Sequence, residues 1–371
     1  MRVLHIIDTL RGGGVETLLL NIVPHVHEQG IELAVMHLHN EPDMVPLFVS
    51  HGVPVVGICK DRFRYFRRDR KDRVEQIDKA MAFASEFRPD VIHAHLECSY
   101  VFAPIIADKL GVPVVHTVHT ARAPWQTSTQ FRVALLRKII LRRFKQAARV
   151  VCVGEGVRQY LAQLVPRMAR EIAVVENCVA DVYTRPLPAK KLFDFDIVMV
   201  GRLSPEKNHA LALRAFARLR EIKPGLKVGI VGFGVEEDAI RSLRDELDMG
   251  LSVELLGRKS AEQICDVLDR SRVYHMPSQF EGFGISAAEA LYRGLPSVLN
   301  DIPVLSQLFG RLPGVWLAKD EDIDDHAEKL SLALDDSSVH DHRDYLKRFT
   351  ASHHVALLRA VYDEAIESAH H

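Results

Sequence analysis

Two glutamates and two glycines stand close together in the stretch 277–296, which reads PSQFEGFGISAAEALYRGLP. Glu281 directly precedes a Gly-Phe-Gly sequence, and Glu289 follows inside a strongly helix-forming run. Gly282 and Gly284 allow backbone N–H groups to approach a ligand closely at the start of that helix, where an anion is favoured. Ionised carboxylates accept hydrogen bonds, and sugar hydroxyls donate them. The pattern therefore fits a nucleotide-sugar, and a glycine turn with a capping glutamate is the alternative.

A second candidate site is the stretch 201–208, which reads GRLSPEKN. Gly201 ends a predicted strand, and Ser204 is a candidate N-cap for a helix that begins at the following proline. Arg202 and Lys207 flank this turn, and two cations beside a helix N-terminus suit a diphosphate. Solvated surface charges are the alternative interpretation.

A glycine-rich turn follows the first predicted strand, in the stretch 8–20. Gly12 and Gly14 lead into an amphipathic helix, which is a favourable place for an anion. The dinucleotide fingerprint is incomplete, because Thr17 stands where a third glycine belongs and the strand 32–38 ends in HLHN without an acid. The turn thus gives little support to nicotinamide binding, and a tight strand-to-helix connection remains open.

Short apolar runs alternate with amphipathic stretches along the chain, which predicts parallel sheets covered by helices on both faces. The tail from 321 onward is predicted to be helical. The predicted strands are 3–7, 32–38, 91–95, 113–119, 149–153, 196–201, 227–232, 252–257, 272–277 and 296–300. The predicted helices are 15–29, 72–87, 99–110, 131–147, 206–222, 235–247, 260–270 and 284–293.

A chain of 371 residues is longer than a single core usually supports. The proline-containing stretch 180–196 interrupts the alternation and is predicted to be a linker. We therefore expect a first domain at 1–183, a second at 184–350, and a final helix at 351–371 that can cross back to the first domain. Ligands of such sheets bind at the carboxyl ends of the strands.

The composition is typical of an ordinary globular protein, but its charge is unevenly distributed. Residues 1–185 carry a formal charge of +6 and the remainder carries −7. Five scattered cysteines show no zinc or disulfide spacing, which favours a reducing cytoplasm. No run approaches 18 consecutive apolar residues, so no membrane span is predicted, and the first residues do not resemble a signal peptide.

Two basic stretches lie in the first half, at 60–71 and at 109–154, and the second holds nine Lys/Arg without any acid. They are interpreted either as the solvated face of a core-packed helix or as a contact with anionic lipid or a phosphorylated acceptor. Nucleic acid is disfavoured, because no recognised binding motif accompanies the charge. Within 109–154, a basic series recurs at helical spacing opposite three apolar residues: Lys138, Arg142, Lys145 and Arg149 against Leu136, Ile140 and Phe144.

Taken together, these stretches resemble the family-4 retaining glycosyltransferases of the GT-B fold, over essentially the whole chain. The resemblance is carried by GGGVE (12–16), HTVH (116–119), GRLSPEKN (201–208) and EGFGISAAEAL (281–291), the last being the family's paired-glutamate signature. It implies an α/β protein with two Rossmann-like, doubly wound parallel-sheet domains that face a cleft. The N-terminal domain would bind the acceptor and the C-terminal domain the nucleotide-sugar.

The resemblance implies an enzyme that transfers a hexose from a nucleotide-sugar, a UDP-sugar, to a hydroxyl with retention of configuration. The acceptor would be a lipid-linked or anionic glycan of cell-envelope or polysaccharide biosynthesis, handled in the cytoplasm or peripherally at the inner face of the membrane. No cofactor or metal is implied, because cationic side chains and helix dipoles supply the charge stabilisation.

The site residues implied by the resemblance come from both domains. The catalytic residues would be His119 beside the donor sugar, Arg202 and Lys207 on the diphosphate, and Glu281 on the sugar. The remaining donor-binding residues would be Gly14 near the phosphates, Arg258 near the base, Gly282, Phe283 and Gly284 through their amides, and Glu289 on the ribose.

The chain departs from the family's pattern at three positions: Cys178 follows Asn177, Gln307 replaces an acid, and Gly154 replaces a serine. Because of these departures, the family's pattern does not assign the ligand contacts made by residues on the linker side of the site. Two rival functions also remain at this point, a nucleotide-sugar 2-epimerase of the same architecture and a non-catalytic sugar-nucleotide-binding protein. A glycogen-phosphorylase-like enzyme would need a longer chain and a cofactor lysine.

Overall fold

The fold is described from a computed structural model. The described residues are 1–61, 70–120, 131–168, 171–188, 192–338 and 340–369, without the side chains of residues 70, 131 and 132. The chain forms two compact units, Met1–Cys178 together with Ala351–His371, and Val179–Thr350. The division falls after Cys178, a few residues before the predicted boundary at 183, and the final helix belongs to the first unit.

Strands and helices alternate through both units. The strands are β1 (Arg2–Ile7), β2 (Glu32–His37), β3 (Val55–Gly57), β4 (Val91–His95), β5 (Val114–Val118), β6 (Arg149–Cys152), β7 (Ile172–Val174), β8 (Phe195–Val200), β9 (Val228–Val231), β10 (Val253–Gly257), β11 (Ser271–Met276), β12 (Ser297–Asn300) and β13 (Val315–Ala318). The helices are α1 (Gly14–Val26), α2 (Val45–Ser50), α3 (Arg70–Phe87), α4 (Glu97–Leu110), α5 (Phe131–Gln146), α6 (Glu155–Leu164), α7 (Asp181–Thr184), α8 (His209–Ile222), α9 (Glu237–Glu246), α10 (Ala261–Asp269), α11 (Ile285–Tyr292), α12 (Pro303–Phe309), α13 (Ile323–Asp335), α14 (Arg343–Leu346) and α15 (Ala351–Ala369).

Each unit is built on a parallel sheet with the same winding. The spatial order is β3-β2-β1-β4-β5-β6-β7 in the first unit and β10-β9-β8-β11-β12-β13 in the second. The direction of winding reverses between β1 and β4, and again between β8 and β11. At such a switch point the connections leave in opposite directions, so the carboxyl ends of the two strands stay accessible to a ligand.

The sheets are buried on both faces, which explains why their strands are apolar runs rather than alternating ones. Every residue of β4 and β5 is buried. In the first unit α15 packs on α1 and on strands β4 and β5, and its own side chains Val355, Leu358 and Tyr362 are buried. The final helix thus completes the apolar cover of one face of that sheet.

Most predicted elements are present with ends shifted by a few residues. The prediction of a linker over 180–196 was too broad, because α7 and the start of β8 lie within it. The predicted helix 206–222 begins later, at His209, after a separate 3-10 turn over Pro205–Lys207. Among the described helices and strands, those that were not predicted are β3, β7, β13, α2, α6, α7 and α12.

The segment after α7 is fixed by a fully buried arginine. Arg293 donates two hydrogen bonds to Asp269, at 2.7 and 3.0 Å, and its remaining donors reach the carbonyls of Tyr183, Arg185 and Pro186. Its side chain is 0% exposed. A buried charge is tolerable when its hydrogen bonds are satisfied and a countercharge is present, and both conditions hold for this guanidinium.

We expect Arg293→Ala to destabilise the second unit by about 3 kcal/mol, because breaking a buried pair strands the remaining charge. Arg185 also contacts Asp269, at 3.0 Å, and limits the loss. The matched control is Arg270→Ala: the Arg270–Asp194 pair is 53% and 46% exposed, so solvent screening should make its loss much less costly than that of the buried pair. Urea unfolding of both variants measures the difference, and equal losses would contradict the assignment of Arg293 as a structural clamp.

Candidate functional site

A lysine and a glutamate meet across the switch point of the second unit. Lys207 follows β8, Glu281 follows β11, and Lys207 Nζ donates to Glu281 Oε1 at 2.6 Å. The side chains are 21% and 12% exposed, so the pair is largely shielded yet reachable. The stem of Lys207 runs along Gly201, where a Cβ would lie 3.8 Å from Lys207 Cδ. An ammonium has three donors, so Lys207 can keep this bond and still donate to an anion.

The turn that carries Lys207 differs from the prediction. Ser204 does not cap a helix: its hydroxyl donates instead to Glu206 Oε1 at 2.6 Å. Asn208 adopts a left-handed conformation with φ of 52°, which separates the 3-10 turn from α8. The helix N-terminus predicted beside Lys207 is therefore present but starts later, at His209, two residues after the lysine.

Two further cations follow β8 and β10, the strands on either side of β9. Arg202, directly after the Gly201 that ends the β8 segment, is exposed. Arg258 follows β10 and is also exposed, with its guanidinium carbon 3.5 Å from the centroid of the Phe233 ring. That distance is a close cation–π contact, which holds the Arg258 guanidinium over the Phe233 ring that follows β9.

A Gly-Phe-Gly turn at 232–234, which was not predicted as part of the site, contacts both loops that carry these cations. Its backbone lies against Gly201, next to Arg202, and its Phe233 ring lies against Arg258. A Cβ on Gly232 would lie 1.8 Å from the carbonyl oxygen of Gly201, and Gly232 has φ of 152°. Leu203 N donates to the carbonyl of Phe233 at 3.0 Å. The backbones after β8 and β9 therefore touch directly. The signal was available, since the same tripeptide recurs at 282–284 after another apolar strand.

The opening of α11 has the features expected of a close backbone approach. Gly284 is the N-cap with φ of 93°, and a Cβ there would lie 2.7 Å from Leu305 Cδ2. Phe283 turns its ring into the core against Phe309 and Phe349, so only its backbone is available at the surface. Gly282 precedes them in the same partly exposed loop as Glu281.

Glu289 lies on α11 and is only 7% exposed. Burial raises the pKa of its carboxyl to about 8, and a hydrogen bond from the Tyr183 hydroxyl acts in the opposite direction. The carboxyl is thus held where it can change its protonation state near neutral pH when a hydrogen-bonding partner arrives.

In the first unit, Gly14 and His119 lie at the carboxyl side of the sheet. Gly14 is exposed at the start of α1, and a Cβ there would meet no atom within 4 Å. The neighbouring Gly13 N–H is already bound by the Glu16 carboxylate at 3.0 Å, so the protein supplies its own anion to part of this turn. His119 follows β5, and burial lowers its pKa to about 3, so the ring is neutral.

Comparison with known proteins agrees with these two units. The family described as Glycosyltransferase Family 4 matches residues 12–181, and the family described as Glycosyl transferases group 1 matches residues 187–352. The chain is a glycosyltransferase. The two matches fall almost entirely on the first and second units respectively, and so follow the division seen in the fold.

Relatives and solved structures are similar to this glycosyltransferase over nearly its full length. The D-inositol 3-phosphate glycosyltransferase of Mycolicibacterium smegmatis is 27% identical, covering 95% of this chain and 87% of the relative. Anabaena Alr3699/HepE in complex with UDP has a TM-score of 0.72 at 18% identity, covering 100% and 99% of the two chains. Sucrose-phosphate synthase from Thermosynechococcus elongatus has a TM-score of 0.74 at 15% identity, covering 100% and 98%. The glycosyltransferase therefore has the GT-B fold.

The basic series of the glycosyltransferase lies largely on α5. Lys138, Arg142 and Lys145 are exposed on one face, while Ile140 and Phe144 are fully buried on the other. Arg149 does not belong to that face. It begins β6 and pairs with Glu364 of α15 at 2.9 Å. Leu136 is half-buried among the core residues. The other predicted basic stretch, 60–71, lies mostly outside the described residues.

Among the described helices, none is both long enough and apolar enough to span a bilayer. Within the same residues, two groups of side chains come close enough to share an ion, and spacing along the chain predicted neither. One group is His5, His93 and His95; the other is Asp8, His39 and Cys98. Some of their polar atoms make hydrogen bonds within the protein: His5 Nδ1 contacts His95 Nε2, and the Asp8 carboxylate accepts from the backbone N–H groups of Cys98 and Ser99 at the start of α4.

We expect Glu289→Gln to stabilise the ligand-free protein at alkaline pH. An ordinary unfolded carboxyl ionises near 4.5, whereas the folded one ionises near 8, so the stability it contributes is lost as the pH rises through 8. At pH 9 the gain should be about 1–3 kcal/mol, and at pH 4 it should vanish. Thermal unfolding across this range measures it. Glu281→Gln is the control, because its carboxylate is paired with Lys207, and an equal gain there would contradict the prediction.

Proposed function

We propose that this enzyme is a retaining hexosyltransferase that moves a sugar from a UDP-sugar to a hydroxyl of an acceptor. The observation that carries the proposal is the Lys207–Glu281 contact at 2.6 Å across the switch point of the second unit. A cation and a carboxylate side by side suit a substrate in which a diphosphate adjoins hydroxyl groups. Anabaena Alr3699/HepE, which shares the fold, has been solved with UDP-glucose, and this supports the choice of donor.

Departure of the diphosphate is the step in which charge develops. We assign its stabilisation to Arg202 and Lys207, which lie on either side of the turn after β8. Cations held in place before the reaction stabilise developing charge without reorganisation at that moment. The proposal therefore needs no bound metal or other cofactor. Retention follows from front-face attack by the acceptor hydroxyl, as the resemblance to family-4 enzymes implies.

The two glutamates have different duties in this proposal. Glu281 binds hydroxyls of the donor sugar, and Glu289 binds the ribose. Gly14 and the amides of 282–284 contact the phosphates or the sugar, and Arg258 is placed near the base. His119, neutral because of its burial, provides a ring nitrogen to the sugar. Since a ribose hydroxyl prefers the ionised form of Glu289, donor binding releases a proton near neutral pH.

A panel of nucleotide-sugars, screened for hydrolysis and for thermal stabilisation, tests the donor class. The expected result is that a UDP-sugar raises the Tm and is turned over, with retention of configuration in the product. Formation of an epimerised nucleotide-sugar in the absence of acceptor would instead assign the 2-epimerase reaction and overturn the proposal.

Titration of UDP against two variants tests the division between the glutamates. Glu289→Ala should weaken UDP binding about tenfold or more, because it removes a charged hydrogen-bond partner of the ribose. Glu281→Ala should leave UDP affinity unchanged or higher, since Lys207 loses a competing carboxylate, while kcat falls at least tenfold. Glu254→Ala, an exposed carboxylate on β10, controls for the change in net charge. Equal loss of UDP binding in both variants would mean that the pair is one structural unit.

We further propose that the acceptor is a lipid-linked or anionic glycan of cell-envelope or polysaccharide biosynthesis, met at the inner face of the membrane. The exposed face of α5 supports this proposal. Lys138, Arg142 and Lys145 share that face, and Leu135 on the same helix is 42% exposed. A helix with basic and apolar side chains at its surface favours an anionic lipid interface.

Binding to anionic vesicles tests this surface. We expect the enzyme to bind at low salt and to be released as ionic strength rises, because surface charge is screened within about 10 Å at 0.1 M. Lys138→Gln, Arg142→Gln and Lys145→Gln together should weaken binding. The matched control removes three cations from the second unit, by Arg218→Gln, Lys223→Gln and Arg241→Gln. Equal weakening by the two triple variants, or no binding by the wild type, would contradict a specific surface.

A further inference from the structure

Three histidines of the first unit form a continuous hydrogen-bonded row. His5 lies on β1, His95 ends β4 and His119 follows β5. His5 Nδ1 is 2.9 Å from His95 Nε2, and His95 Nδ1 is 3.0 Å from His119 Nε2. His5 and His95 are buried, and His119 is partly accessible. The row therefore leads from the interior of the sheet to the ring that the proposed function assigns to the substrate.

The row imposes one tautomer on all three rings. A neutral imidazole has one N–H and one lone pair, so each contact needs a donor on one ring and an acceptor on the next. If His95 carries its proton on Nε2, then His5 Nδ1 must accept and His119 Nε2 must donate, so every ring is protonated on Nε2. If His95 is protonated on Nδ1, the same reasoning places every proton on Nδ1. If the three rings had different tautomers, one of the two contacts would join two N–H groups or two lone pairs and could not be a hydrogen bond.

We propose that His95 and His5 are positioning residues which hold His119 in one orientation and one tautomer, so that its Nδ1 is the nitrogen presented to the substrate. This proposal rests on the role of His119 in the proposed function. The second ring nitrogen of a functional histidine commonly fixes the tautomer of the first through such a bond. Here a neutral histidine takes the place that a carboxylate or a carbonyl more often holds.

Packing and burial support the row. The rings of His5 and His95 are stacked with centroids 5.2 Å apart, and those of His95 and His119 are 5.3 Å apart. Burial lowers the pKa of His5 and of His119 to about 3 and lowers that of His95 well below its usual range. The rings are thus uncharged in neutral solution, which is the state that the single-tautomer arrangement requires.

His93 provides a matched control on the same strand. It is as buried as His95, and its nitrogens bind the Tyr362 hydroxyl at 2.7 Å and the Thr117 hydroxyl at 2.6 Å. Neither of these contacts leads to His119. A phenylalanine at either position removes two hydrogen bonds from the same part of the core, but only His95→Phe removes the partner of His119.

Long-range ¹H–¹⁵N spectra of protein labelled at histidine test the proposal without any substrate. In the wild type we expect His5, His95 and His119 to show the same neutral tautomer, with no averaging at His119. In His95→Phe, His119 should become a mixture of tautomers, whereas His93→Phe should leave its signal unchanged. Different tautomers within the row of the wild type, or an unchanged His119 signal in His95→Phe, would overturn the proposal.

Kinetics with the donor found in the nucleotide-sugar panel provide the second readout. His95→Phe should lower kcat about tenfold with little change in KM, and His95→Gln, which restores a donor and an acceptor, should recover part of the loss. A kcat equal to that of His93→Phe would overturn the positioning role. Full activity of His119→Ala would instead overturn the role of His119 in the proposed function, while the shared tautomer of the row would stand.

Discussion

The reversal of strand order within each sheet is the constraint on which the candidate sites depend. Between β1 and β4, and between β8 and β11, the strand order reverses, so that the connections from neighbouring strands leave in opposite directions. Groups that follow those strands can therefore meet. Lys207, which follows β8, and Glu281, which follows β11, do so in the second unit.

Polar groups at these strand ends are held by the protein's own contacts in the absence of a substrate. Lys207 is paired with Glu281, the Gly13 amide with Glu16, and Arg258 with the Phe233 ring. Each contact orders a side chain or an amide that a ligand would use. These groups are thus ordered before any ligand binds, so the entropy of ordering their side chains is not lost again on binding.

Patterns of neighbouring residues were sufficient to predict single strands and helix starts, because these depend on residues close together in the sequence. The strand 91–95 was predicted at its observed bounds although two of its five residues are histidines, and the glycine-bounded start of α11 was marked by its turn residues. Contacts between distant segments were not predictable in this way. Arg293 is an ordinary arginine in the sequence, and the histidine row joins residues from three separate strands or strand ends. Short edge strands such as β3 carry too few residues for a pattern.

The contact between the backbones after β8 and β9 restricts how this enzyme can diversify. The carbonyl of Gly201 lies where any side chain at 232 would begin, and that of Leu203 lies 2.2 Å from a Cβ on Gly234. A methyl group at 232 or 234, or an insertion between them, would therefore push the turn 232–234 away from the backbone that follows β8. Variation in this region is confined to the side chains that project from the fixed frame, at 233 and 258. A library that varies this part of the enzyme should sample these two positions and leave the glycines intact.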